Sequence, residues 1–103
     1  MIIQTIVATR PSIDVPWFVS DLTWNDLKNQ FLKDGRIVDY IGNISEDGLI
    51  KNIKIIYLDE NAFFEWTSQP IVKYMAELRK KYNKENQIIV NVDVSMAERL
   101  EDS

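Results

Sequence analysis

Two groups of side chains in this 103-residue chain have the types and spacing to do chemistry. The first is aromatic: Trp24, Tyr40, Tyr57, Phe63 and Trp66, with Asn43 as a polar neighbour. Apolar walls with a few polar groups are what a small-molecule pocket requires, so these six are the candidate lining of a ligand site. The competing reading is that a chain of this size needs its large side chains for its core. The second group is Asp39 and Lys54, which lie diagonally near one another if the intervening chain folds into a hairpin. A buried carboxylate–ammonium pair with shifted pKa values serves acid–base work. The structural alternative is an ion pair at a subunit seam or pocket rim.

Missing residue types narrow the chemistry further. The chain has no cysteine and no histidine. That excludes disulfides, thiolate nucleophiles, zinc-thiolate and iron–sulfur sites, and the imidazole that is both the usual general base and the commonest metal ligand. The adjacent acidic pairs Glu46-Asp47 and Asp59-Glu60 fall where turn and cap chemistry explain them, so neither a metal nor a cofactor is expected. A net charge of −4 and a pI near 4.7 weigh against general nucleic-acid binding, which neutralises phosphates with a basic surface. Arg79, Lys80, Lys81 and Lys84 cluster near the end of an expected helix, where the dipole favours cations. They read as a solvated helix end rather than a phosphate-binding patch. No stretch approaches the roughly 20 apolar residues of a membrane span, and residues 1–9 lack the basic start and cleavage site of a signal peptide, so a cytoplasmic location is expected.

The elements that must position these residues are organised around 36–59, which reads as two strands joined at Asp47-Gly48. A two-residue type I′ loop there sets Tyr40 opposite Ile55 and Val38 opposite Tyr57. Val38, Tyr40, Ile44, Ile53, Ile55 and Tyr57 then share one face. Ile37, Ile41, Ile50, Ile56 and Leu58 share the other with Asp39, Asn43, Asn52 and Lys54. Neither is the polar face of an antiparallel sheet with one side in water. Before the hairpin come a strand at 2–9, a proline-punctuated connection carrying Ile13, Val15, Trp17 and Phe18, and a helix at 23–34 capped by Thr23 and stopped at Gly35. The apolar connection should fold back to close one end of the sheet or meet a partner. After the hairpin, Asp59 caps a short helix through Trp66, and Pro70 opens another, capped by Thr67 or Ser68, with Ile71, Met75, Leu78 and Tyr82 as its apolar stripe. A strand at 87–95 and a flexible or docked tail at 96–103 complete a single domain.

This order predicts an α+β, ferredoxin-like βαββαβ fold: a four-stranded antiparallel sheet, strands ordered fourth, first, third, second, with helices on one face. The other face is apolar enough to predict a homodimer packed sheet against sheet. Gly35-Arg36-Ile37-Val38 entering the hairpin and Asp59-Glu60-Asn61-Ala62-Phe63-Phe64-Glu65-Trp66 after it make the chain resemble the dimeric α+β barrel superfamily, loosely its antibiotic-biosynthesis-monooxygenase-like branch. The resemblance implies a ligand pocket between sheet and helices. Members include cofactor-free oxygenases, isomerases and haem-degrading enzymes, though the haem-ligating histidine of some branches is absent here. The expected function is a homodimeric small-molecule-binding or protein-interaction module of unknown ligand and without demonstrable catalysis, with a small hydrophobic or aromatic molecule as candidate ligand and neither nucleic acid nor membrane as partner. A cofactor-independent monooxygenase or isomerase is the alternative.

Overall fold

The structure, a computed structural model, describes residues 1–96. The elements run β1 (Ile2–Thr9), α1 (Leu22–Lys33), β2 (Ile37–Ile44), β3 (Ile50–Tyr57), α2 (Glu60–Thr67), α3 (Pro70–Glu85) and β4 (Ile89–Met96). All strand pairs are antiparallel, in the order β2-β3-β1-β4, which is the expected ferredoxin-like topology. No helix among the described residues is long and apolar enough to cross a membrane. Met96 belongs to β4, and the rest of the expected tail, 97–103, lies outside the described residues.

Strand pairing fixes which side chains meet the helices. Ile2 pairs with Tyr57, Ile6 with Ile53 and Tyr40 with Ile55, and all six lie in or against the core cluster. Since side chains alternate along a strand, Ile3, Val7, Ile41 and Ile56 are on the opposite, uncovered face. Ile56 is only 5% exposed yet stands outside the core cluster, because it is shielded within the open face beside Ile3 and Asp39.

The hairpin differs from expectation in two places. Its loop is four residues, not two: Ser45 N–H donates to Ile50 O, and the turn closes from Gly48 N–H to Ser45 O at 2.9 Å. Gly48 alone takes positive φ (+76°), and the Asp47 carboxylate accepts from Ser45 Oγ and Leu49 N–H, so the turn is built by side-chain bonding rather than by two left-handed residues. The Tyr40–Ile55 register survives. At the far end a register shift between Ile37 and Asp39 forms a bulge, so Ile37 rather than Val38 lies opposite Tyr57. Ile37 is fully buried and Val38 is 41% exposed, the reverse of their expected faces.

Helix ends show the same substitution of local bonding for pattern. The cap of α1 is Asp21, whose carboxylate accepts from Trp24 N–H at 3.0 Å, and not Thr23. Asp59 caps α2 as expected, at 2.8 Å from Ala62 N–H. Pro70 is the first residue of α3, but its N-cap is Gln69 without a side-chain bond; Ser68 instead ends α2 and Thr67 bonds back to Phe63 O. Gly35 (φ +84°) stops α1. Helix α3 ends in a Schellman motif, with Ile88 N–H on Asn83 O and Gln87 N–H on Lys84 O. Gln87 occupies its left-handed position (φ 58°), which moves the start of β4 from 87 to 89.

A side chain in that conformation is strained, whereas glycine is not. Gln87→Gly is therefore expected to stabilise the fold by about 0.5–1 kcal/mol after the entropic cost of glycine is subtracted. Urea unfolding checks this; a lower midpoint would contradict the assignment.

Candidate functional site

The core between helices and sheet is packed with aromatic rings placed by three devices. The Asp21 cap orients Trp24 at the start of α1, and the Asp59 cap orients Phe63 and Trp66 on α2. Arg36, at the entry to β2, pairs with Asp34 (2.6 Å) and Glu65 (2.9 Å) while its guanidinium covers the Phe31 ring at 3.6 Å. The result is a run of edge-to-face contacts: Tyr40 to Trp24 at 6.2 Å, Trp24 to Trp66 at 5.5 Å, and Trp66 to Phe31 at 5.2 Å. Tyr57 meets Phe63 at 5.0 Å and donates its hydroxyl to Gln4 Oε1 at 2.8 Å. Burial pushes the Tyr57 phenol above its ordinary value.

Five of the six residues singled out as a pocket lining are thus brought together. Trp24, Tyr57 and Trp66 are buried, and Tyr40 and Phe63 half-buried. Asn43 is not among them: it pairs with Asn52 and stands exposed on the opposite face. Asp39 and Lys54 do not pair within the chain. Asp39 accepts from Tyr40 N–H, both residues are exposed, and the salt bridges among the described residues are those of Arg36.

Cations define the site in ways the sequence reading missed. Lys51 falls on the helix side of β3 with Ile53, Ile55 and Tyr57, and its Nζ lies 5.9 Å from the Trp17 ring. Arg10 covers the same indole at 4.6 Å while donating to Gly48 O and Val15 O, which ties the 10–21 connection to the hairpin turn. Tyr82 fastens that connection to α3 through its hydroxyl on Pro16 O. Arg79 lies 5.8 Å from the Phe18 ring, and Lys28 Nζ 4.7 Å from the Tyr40 ring. Among the described residues neither Lys51 nor Arg79 has a carboxylate partner or a hydrogen bond. Burial, reinforced by Arg79, lowers the Lys51 pKa. Burial also lowers that of Arg79, against the opposing pull of Tyr40. A signal was present: Lys51 interrupts an otherwise apolar alternation, and Arg79 follows Met75 at i+4 on the buried side of α3.

Two donors in this region also lack acceptors. The buried Nε1 atoms of Trp17 and Trp24 have no hydrogen-bond partner. Leaving such a group unsatisfied costs about 1–3 kcal/mol. Ring faces, free indole donors and cations without counter-ions form an environment complementary to an electron-rich molecule bearing acceptor oxygens.

No family model and no curated protein matches the sequence. Solved structures share its fold. SnoaB, a cofactor-independent oxygenase from Streptomyces nogalater, aligns over 95% of this chain and 93% of its own with a TM-score of 0.56 and 12% identity. The fold is that of the antibiotic-biosynthesis-monooxygenase-like proteins. An antibiotic biosynthesis monooxygenase aligns over 94% and 99% at TM-score 0.51 and 13% identity. A protein of Mycobacterium tuberculosis aligns over 96% and 97% at 0.56 and 16%.

Because the folded state lowers the Lys51 pKa, the unfolded chain binds more protons below the ordinary value of 10.5. Stability attributable to this group therefore rises with pH through the window between the lowered folded value and that ordinary value. Lys51→Met is expected to raise the melting temperature at neutral pH and to flatten this rise; melting curves from pH 7 upward check it. Destabilisation at neutral pH would show that the ammonium is satisfied.

Proposed function

We propose that the protein binds a small aromatic or hydrophobic molecule in the interior between helices and sheet, and does so as a homodimer joined through its open sheet face. The observation that carries the ligand is the pair of buried, acceptor-less indole N–H groups of Trp17 and Trp24 beside aromatic faces. A ligand carbonyl or hydroxyl supplies what the chain leaves out, and ring stacking supplies the rest. The open face supports the dimer: Ile3, Val7, Ile41 and Ile56 form apolar ground that a second copy would cover, and Asp39 and Lys54 on that face would meet the partner at the seam.

A second reading is cofactor-independent oxygenation or isomerisation of such a ligand. The likeness of fold to SnoaB favours it. So do Arg79, whose charge acts on Tyr40, and Lys51, whose charge acts on Arg79; together they would stabilise a substrate enolate or phenolate oxygen. Where solvent takes the α-proton of an enolisable substrate, the enolate left behind is the electron-rich species that reacts with O2, or that regains a proton from solvent at a new carbon.

Titration with menadione, a compact quinone with two carbonyl acceptors, tests the binding site. The indole N–H resonances of Trp17 and Trp24 are expected to move saturably and further than that of Trp66; three unmoved indole signals would defeat the reading. Oxygen uptake with an enolisable aromatic ketone separates the two functions: uptake above buffer, reduced by Lys51→Met, marks the enzyme, and none marks the binding module.

A further inference from the structure

A cleft of about 320 Å³ opens between α3 and the edge strand β4; none of the aromatic rings lines it, but Arg79 lies between it and Phe18. Arg79, Lys80 and Lys84 line it together with Asn83, and Ile88 and Val90 form its apolar side. Among the described residues no carboxylate lines it: Glu77 and Glu85, on the same helix, are not among its lining residues and form no salt bridge. Lys80 and Lys84 are four residues apart on one helix, so their charges repel unless something between them is negative. The sheet adds a fourth cation. Val90 pairs with Ala8 and Ala8 with Lys51, so Lys51 stands on the same face two strands away, about 10 Å, across a residue with little bulk.

Arg79 is the informative member. It is half-buried, yet among the described residues its five N–H donors meet no acceptor and its charge no counter-ion. A guanidinium is a rigid planar fork that matches the two oxygens of a carboxylate or phosphate, and its attraction strengthens away from bulk water. A solvated helix end accounts for Lys80 and Lys84, both exposed, but not for a half-buried, unpaired Arg79 above an apolar floor. We propose that this cleft binds a small organic oxyanion, a carboxylate or phosphate monoester on a compact apolar body. Arg79 holds the anionic group, Lys80 and Lys84 add long-range attraction from the rim, and Ile88 and Val90 receive the body. The volume is at the low end of small-molecule pockets, which suits a single ring or a short branched chain. A nucleic-acid strand is a poorer fit, because the chain carries a net charge of −4 and its cations converge on one cleft instead of tracking a backbone.

The test titrates the full chain with phenyl phosphate, phenylacetate and inorganic phosphate, followed by amide shifts of residues 76–90 and by calorimetry. Saturable binding of either aromatic anion supports the site, and the tighter of the two names the head group. Inorganic phosphate is expected to bind at least about tenfold more weakly, since it cannot use the apolar floor. Arg79→Gln is expected to weaken binding by about tenfold or more, the loss of a charge-assisted hydrogen bond. Ala76→Leu, at an exposed helix position on the cleft lining, keeps every charge and fills the space; it should weaken binding comparably and decides the matter if the arginine variant does not fold. Absence of saturation with both aromatic anions, equal affinity for inorganic phosphate, or binding unchanged by Ala76→Leu would overturn the proposal. Menadione is read at the indoles of Trp17 and Trp24 and the anions at the amides of residues 76–90, so although Arg79 lies beside both regions, failure at one set of signals is distinguished from failure at the other.

Discussion

The placement of Trp66 between Trp24 and Phe31 is the contact on which the rest of the structure depends. It joins α1 to α2, and with Arg36 bridging Asp34, Glu65 and the Phe31 ring it pins both helices to the β2–β3 half of the sheet. Aromatic pairs of this kind contribute about 0.5–1.5 kcal/mol beyond the area they bury. Their direction matters as much: they commit one sheet face to the helices and leave Ile3, Val7, Ile41 and Ile56 facing outward. Over β4 the helices give less cover, so Val92 and Val94 stay 57% and 47% exposed although they share the helix side of the sheet.

Between the pinned helices and the 10–21 connection the chain keeps groups that do not help it fold. A half-buried lysine and arginine without counter-ions and two indole donors without acceptors all oppose stability. Local rules agree nearly everywhere else: caps on Asp21 and Asp59, a glycine stop at Gly35, a side-chain-bonded hairpin turn. Unsatisfied polar groups gathered on one side of the fold support the proposed binding site.

Topology was legible in the sequence because it rests on periodicity. Alternation in β1, β3 and β4 and the Ile71, Met75, Tyr82 stripe of α3 survive any local adjustment. The bulge at Val38, the four-residue turn and the left-handed Gln87 were not legible, because each depends on a competition settled by a few hydrogen bonds. The site divides in the same way. Trp24, Tyr40, Tyr57, Phe63 and Trp66 were recognised as a group because bulk predicts association. Asn43 was misplaced among them because its alternation puts it on the other face from Tyr40. In the sequence Lys51 resembles a surface lysine and Arg79 reads as part of a solvated helix end, because a cation on a charged surface is unremarkable until the fold shows what lies above it.

The sheet gives one face to its helices, and in the proposed homodimer the other meets a second copy of the chain. Sedimentation equilibrium of the intact protein at micromolar concentration tests it most directly. The proposed dimer has twice the 12.1 kDa chain mass, and reverts to a single chain when Ile41, exposed on the open face, is replaced by aspartate. A wild-type particle of one chain mass would contradict it.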